Sequence, residues 1–188
     1  MAPPLEGPET LTGVLEAARS GDLAAFEILM RRHQRLVLVA ALRLLGKMED
    51  AQDASQEVFL RLYRNLGKVQ GCGNIAGWLY RVTVNVCHDV RRRRTDETSV
   101  EEAAELVSGG ADPQQAASRE EENRALELSL RLLSEKERAA VVLRDLEGLP
   151  TEEVALILGV SQATIRSQIF KARIKMKDFV ERYFRRRV

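Results

Sequence analysis

Seven side chains between Gln162 and Arg173 have the types and spacing to do chemistry together: Gln162, Thr164, Arg166, Ser167, Phe170, Lys171 and Arg173. At helical spacing they share an outward surface, with Ile165 and Ile169 left on the opposite face. Hydroxyl, amide and guanidinium groups on a helix end can enter a major groove and touch base edges and phosphates. The competing reading is a solvated basic face on an ordinary helical hairpin.

Two further groupings stand upstream. Trp78 follows the stretch GKVQGCGNIAG (Gly67 to Gly77) and precedes Tyr80, Arg81, Asn85 and the run Arg91 to Arg94. An aromatic ring beside a flexible loop and cations can trap an unstacked base while guanidinium groups hold phosphates. The alternative is that Trp78, Leu79 and Val82 are core. Asp53, Glu57, Leu60 and Arg64 recur at spacings of four, three and four, with Asp50 and Gln56 beside them. On a helix these form one outward stripe, which by itself is compatible with a merely solvated face.

Catalytic chemistry finds no support. The candidate groups are His33, His88, Cys72 and Cys87. Cys87 and His88 are adjacent on a helix and point in different directions, Cys72 lies in a glycine-dense stretch, and no pairing has metal-site spacing. There is no HExxH, phosphate loop or nucleophile elbow. The expectation is a protein that is not an enzyme, with no catalytic residue, no metal and no cofactor.

The elements that must position these groups are helical almost throughout. Leu11, Val14, Leu15 and Ala18 predict a short first helix ending near Ser20 and Gly21. Asp22 caps a second helix to about Leu45, with Phe26, Leu29, Met30, His33, Val37, Ala40, Ala41 and Leu44 inward and Gly46 closing it. A third helix runs from about Glu49 to Leu66 on Ala51, Ala54, Val58, Leu62 and Leu66. Four glycines in the eleven residues Gly67–Gly77 predict a loop. A fourth helix follows, from Trp78 to about Arg94. Downstream, a helix through Leu126, Leu130 and Leu133 precedes the capping box Ser134-Glu135-Lys136-Glu137, which opens a helix to Glu147 closed by Gly148. Thr151–Leu158, Gly159 in a left-handed turn and Ser161 as cap then give a helix-turn-helix packed through Val154, Ala155, Leu158, Val160, Ile165 and Ile169.

Charge divides the chain in the same way. From Gln162 to Val188 nine Lys and Arg face two acids, whereas Thr95 to Ser118 carries six acids and no Lys or Arg. That block separation predicts two nucleic-acid-facing modules joined by an acidic tether. The amino terminus MAPPLEGPET lacks the basic start and apolar core of a secretory signal, and the apolar run Leu36–Leu42 is too short to span a bilayer. The expectation is a soluble, cytoplasmic protein without membrane insertion. The fold class expected is all-α: two small helical domains, residues 1–95 and 119–188, joined by a flexible acidic linker over 96–118. Such a linker predicts that the free chain samples several domain arrangements.

With these segments in order, the chain resembles an extracytoplasmic-function (ECF) sigma factor of the sigma-70 family. The likeness rests on DLAAFEILMRRH (Asp22 to His33), EDAQDASQEVFLRLYRNL (Glu49 to Leu66), WLYRVTVNVCHDVRRRR (Trp78 to Arg94) and LSEKERAAVVLRDLEGLPTEEVALILGVSQATIRSQIFKAR (Leu133 to Arg173). The resemblance implies that the first domain is sigma region 2, binding core RNA polymerase and the promoter −10 element. It implies that the second is sigma region 4, binding the −35 element and the β flap. It implies docking on the β′ clamp helices through Asp50, Asp53, Gln56, Glu57 and Leu60. It also implies capture of the melted −10 strand near Asn74, Trp78, Arg81, Asn85, Arg91 and Arg92. Val69 stands where the family often has an aromatic, and Gly71, Cys72 and Gly73 are unusually small, so the −10 preference departs from the common pattern.

On the helix that the resemblance assigns to the −35 element, Arg166 and Lys171 are the candidates for base contact, and Thr164, Ser167 and Arg173 for phosphate. Phe170 either meets a thymine methyl or packs internally. An anti-sigma factor is an implied partner. The acidic linker either enters the polymerase channel or serves as a solubilising tether. A stand-alone duplex-binding regulator is the competing function, and it leaves the amino-terminal surfaces without a purpose.

Overall fold

The computed structural model describes residues 11–69, 75–96 and 113–185, and among these every regular element is helical. The amino-terminal half contains α1 (Leu11–Arg19), α2 (Leu23–Leu45), α3 (Met48–Asn65), a short 3-10 turn (Leu66–Lys68) and α4 (Ile75–Asp96). The carboxy-terminal half contains α5 (Pro113–Arg131), α6 (Glu135–Val141), a π turn (Val142–Leu146), α7 (Thr151–Leu158) and α8 (Gln162–Arg185).

Local sequence fixes most helix ends. Asp22 accepts from the backbone N–H of Ala24 at 2.8 Å and of Ala25 at 3.2 Å, which satisfies two orphan donors at the start of α2. Gly46 stops α2 at φ 77°, a left-handed angle that costs a residue with a Cβ about 1–2 kcal/mol. Ser134 and Glu137 form the reciprocal capping box of α6.

Two helix boundaries and one inward-facing position depart from the sequence reading. Helix α4 begins at Ile75 rather than Trp78, and Val69 and Ile75 are both core residues at 1% exposure. Burial of these two side chains outweighs the glycine density that argued for a loop up to Gly77. Helix α5 begins at Pro113, inside the segment read as linker. Proline's fixed φ suits the first turn, where its missing N–H has no partner to lose. In the helix-turn-helix, Val160 is 39% exposed and Ile157, at 6%, takes the inward place expected of it.

The core is continuous across the two halves. Leu15, Leu29, Val37, Val58, Leu62 and Leu79 pack in one cluster with Leu130, Leu133, Val141, Val142 and Ala172. A second cluster joins Ala40 of α2 and Tyr80 of α4 to Leu143, Val154, Ile157, Ile165 and Ile169. The two halves therefore sit against one another in a single closed arrangement. Polar bonds reinforce it. The buried Arg138 guanidinium donates across to the Leu44 carbonyl at 3.0 Å, and Arg131 to the Gly46 carbonyl at 3.2 Å.

Candidate nucleic-acid interface

The helix-turn-helix is built from α7 and the first half of α8. Gly159, at φ 66°, ends α7 and redirects the chain. Ser161 Oγ then accepts from the Thr164 N–H at 3.1 Å and caps α8. Val154, Ala155, Ile165 and Ile169 are buried where the helices cross. That burial fixes which way the rest of α8 faces. Gln162, Thr164, Arg166, Ser167, Phe170, Lys171 and Arg173 are all exposed.

Within this face the cations differ. Arg166 lies along its own helix, its Nη2 donating to Gln162 Oε1 at 3.1 Å. Arg173 is held by a fork of two bonds to Asp145 of the π turn, at 2.9 and 2.7 Å. Those hydrogen bonds and the carboxylate charge raise its already high pKa. Phe170 is 67% exposed, so of its two readings internal packing is excluded in this structure.

The second candidate face lies on α4. Asn74 falls outside the described residues. Trp78 is partly buried against the core. Arg92 is exposed, whereas Arg91 donates Nη1 to the Leu44 carbonyl at 3.2 Å and approaches Glu135 at 3.6 Å. Arg81 does not stand free. Its Nε donates to the Ile157 carbonyl at 3.2 Å and its Nη2 to the Leu156 carbonyl, at the end of α7. Asn85, Cys87, His88 and Glu135 line a cavity of about 230 Å³ between α4 and the carboxy-terminal half.

The third face lies on α2 and α3. Asp53, Gln56 and Leu60 are exposed, Leu60 at 50%, while Asp50 and Glu57 are half-buried. Glu57 accepts from Arg61 Nε at 2.7 Å one turn on. Gln56 and Leu60 border an apolar groove of about 830 Å³ with Phe26, Leu38, Phe59 and Tyr63. The edge-to-face pair Phe26–Tyr63, with ring centres 5.1 Å apart, shapes one wall.

Two family models match the chain: sigma-70 region 2 over residues 29–97, and sigma-70 region 4 over residues 123–176. The ECF RNA polymerase sigma factor SigE of Mycolicibacterium smegmatis is 36% identical over 180 residues, covering 93% of this chain and 69% of that one. This chain belongs to the ECF sigma factors. The sigma-E factor of Escherichia coli is 32% identical over 183 residues, covering 92% of this sigma factor and 95% of its relative. In fold, the sigma factor resembles RpoE of Bartonella quintana, solved with the anti-sigma factor NepR. The TM-score is 0.68 at 21% identity, over 83% of this chain and 96% of that one. Directing promoter-specific initiation by RNA polymerase is the function of this family and of this chain.

Several groups that shape the sigma factor's surfaces escaped sequence reasoning. Glu147 accepts from Arg43 at 2.6 Å and from the Tyr80 hydroxyl at 2.9 Å, joining α2 and α4 to the end of the π turn. Burial, followed by that carboxylate bond, drives the Tyr80 phenol pKa well up. Cys87 is buried, and burial pushes its thiol up to about 12, so it is a neutral packing group at physiological pH. His33, by contrast, is buried on the inner face of α2 as its spacing predicted, with its Nδ1 2.9 Å from the Leu29 carbonyl. No helix among the described residues is long and apolar enough to cross a membrane.

Proposed function

We propose that this sigma factor divides its work among the three faces. The exposed face of α8 reads the −35 element, with Arg166 and Lys171 at or near base edges and Thr164, Ser167 and Arg173 on phosphates. Phe170 offers its ring to a thymine methyl. Trp78, Arg81, Asn85, Arg91 and Arg92, with Asn74, hold the melted −10 strand. Asp50, Asp53, Gln56, Glu57 and Leu60 dock on the β′ clamp helices of core polymerase, and the carboxy-terminal half engages the β flap. The protein works in the cytoplasm, carries no catalytic group of its own, and is held in check by an anti-sigma factor, as the solved relative RpoE is bound by one.

The observation that carries this reading is the capped helix-turn-helix whose polar face is wholly exposed, in a chain that also bears the region 2 helices. A stand-alone regulator would have no use for the acidic and apolar surface of α3. The test is permanganate and hydroxyl-radical footprinting of the holoenzyme. Protection at −35 with melted thymines at −10 is expected. Duplex protection without melting, or the same protection in the absence of polymerase, overturns the division.

A further inference from the structure

Gln162 alone among the seven outward side chains of α8 holds no contact in the proposed division of work. Its position argues for one. It is the first residue of α8, at the end of a recognition helix that meets base edges. The hydroxyls beside it serve the cap: Ser161 Oγ accepts from the Thr164 N–H at 3.1 Å, and the Ser161 and Thr164 hydroxyls bond to each other at 2.9 Å. The Gln162 side chain is exposed, and its Oε1 accepts from Arg166 Nη2 at 3.1 Å, one turn on. A guanidinium has only donors, so this bond also fixes the sense of the amide, with oxygen toward Arg166. Nε2 donates to no group among the described residues.

We propose that Gln162 is a positioning and specificity-determining residue for the −35 element. It holds the Arg166 fork in place, and its own Nε2 donates to an acceptor on the neighbouring base. This role rests on the assignment of α8 to that element.

The partner of Arg166 is a neutral amide, whereas that of Arg173 is the Asp145 carboxylate. Arg166 therefore keeps its full charge and its remaining donors, enough for a bidentate approach to guanine O6 and N7. Holding this long side chain along the helix before DNA arrives cuts the freedom it must lose on binding. The spacing suits adjacent bases. The paired tips lie 3.1 Å apart, close to the rise of one base step, about 3.4 Å. When Arg166 meets one base, Gln162 reaches the next. A free glutamine reads adenine with both ends of its amide, accepting from N6 and donating to N7. Here the oxygen is turned to Arg166, whose charge also repels an approaching amino group. Donation is the chemistry left. It selects guanine or thymine, which present O6 or O4, over cytosine, whose N4 amine is a donor.

The test uses holoenzyme assembled from core polymerase and the full chain, as wild type or with Gln162→Ala, Gln162→Glu or Arg166→Ala. Bound duplexes are selected from a promoter library randomised across −35 and sequenced. Both side chains are exposed, so Tm should stay at its wild-type value in every variant. The preference lost in Arg166→Ala marks the base pair that Arg166 reads. Gln162→Ala should erase the preference at the adjoining base pair and weaken the Arg166 preference, with affinity for the selected sequence falling about five-fold. Gln162→Glu keeps an acceptor for Arg166 but has no N–H. It should retain the Arg166 preference and turn the adjoining one toward cytosine. Arg166→Ala frees Oε1 and should admit adenine at that adjoining position. An adjoining preference untouched by Gln162→Ala overturns the reading of that base. An Arg166 preference that is the same in wild type and Gln162→Ala, or lost equally in Gln162→Ala and Gln162→Glu, overturns the positioning. If neither Gln162→Ala nor Arg166→Ala changes any −35 preference, the assignment of α8 itself fails, and the role of Gln162 with it.

Discussion

Replacing Arg138 by Met should destabilise the protein by about 3 kcal/mol. Arg138 is 3% exposed and pairs with no carboxylate among the described residues; its guanidinium donates to four backbone carbonyls. These are Leu130 at 2.7 Å, Leu44 at 3.0 Å, and Arg131 and Leu133 at 3.1 Å each. Leu130 and Arg131 close α5, where intrahelical partners run out, Leu133 lies in the turn just beyond it, and Leu44 stands at the end of α2. Charge-assisted bonds contribute roughly 1.5–3 kcal/mol each, and burying the guanidinium costs several kcal/mol, so the net gain is a few kcal/mol. Met keeps the apolar stem and removes every donor. The Leu44 carbonyl retains Arg91 and the Leu130 carbonyl the Leu133 N–H as partners, but those of Arg131 and Leu133 lose the bonds from Arg138. For a chain of this length 3 kcal/mol corresponds to a fall in Tm of about 6–12 °C, read by circular dichroism. Arg138→Lys, with three donors at most, should fall about halfway. A drop below about 2 °C for Arg138→Met would refute the view that one buried cation closes both helix ends.

Other outcomes follow from single contacts. Arg166→Ala should weaken −35 binding by roughly 1–3 kcal/mol in a sequence-dependent way. A uniform loss across a −35 panel would reassign Arg166 to the backbone. Because Asp145 already neutralises Arg173, Arg173→Ala should flatten the slope of log affinity against log salt by clearly less than the ~0.9 of a full phosphate contact. Asp145→Asn should steepen that slope, and an unaltered slope in both variants would remove Arg173 from the interface. Asp53→Arg changes an exposed side chain and should leave Tm in place while weakening core polymerase binding at least ten-fold in a pull-down; equal capture would reject the docking stripe. Acid should loosen the α6–α8 contact. Burial pushes the Glu137 carboxyl up, but bonds from Lys175 at 2.8 Å and from Ser134 outweigh it and hold its pKa below the usual 4.5. Its stabilisation is therefore complete above that value and is lost as pH falls through the lower folded value. Glu137→Gln should erase that part of the acid dependence in urea titrations, and an unchanged pH profile would contradict it.

Local signals in the sequence specified what is local in the fold. Glycines at 46, 148 and 159 marked left-handed stops, and each adopts a positive φ. Asp22, Ser134 and Ser161 marked helix starts and each accepts a capping bond. Periodicity identified the inner faces of α2 and α3, because a 3.6-residue repeat is imposed by the burial itself. Glycine density misplaced the start of α4, where Ile75 packs in the core and opens the helix two residues before Gly77. Periodicity failed where two apolar neighbours competed for one inward place, as with Ile157 and Val160. The closed arrangement was illegible because its bonds join residues far apart in sequence, Tyr80 to Glu147 and Arg43 to Glu147, and no periodicity links them. The outward face of α8 was readable as residue types, but the pairing of Arg173 with Asp145, across 28 positions, was not.

Transcription in vitro tests the central claim most directly. The purified chain is added to bacterial core polymerase on a promoter library, and the transcripts are sequenced. Initiation confined to a subset of promoters sharing one −35 and one −10 motif is expected, with Arg166→Ala shifting the −35 motif alone. No initiation above core polymerase, with duplex DNA binding retained, would contradict the account and leave a DNA-binding regulator in its place.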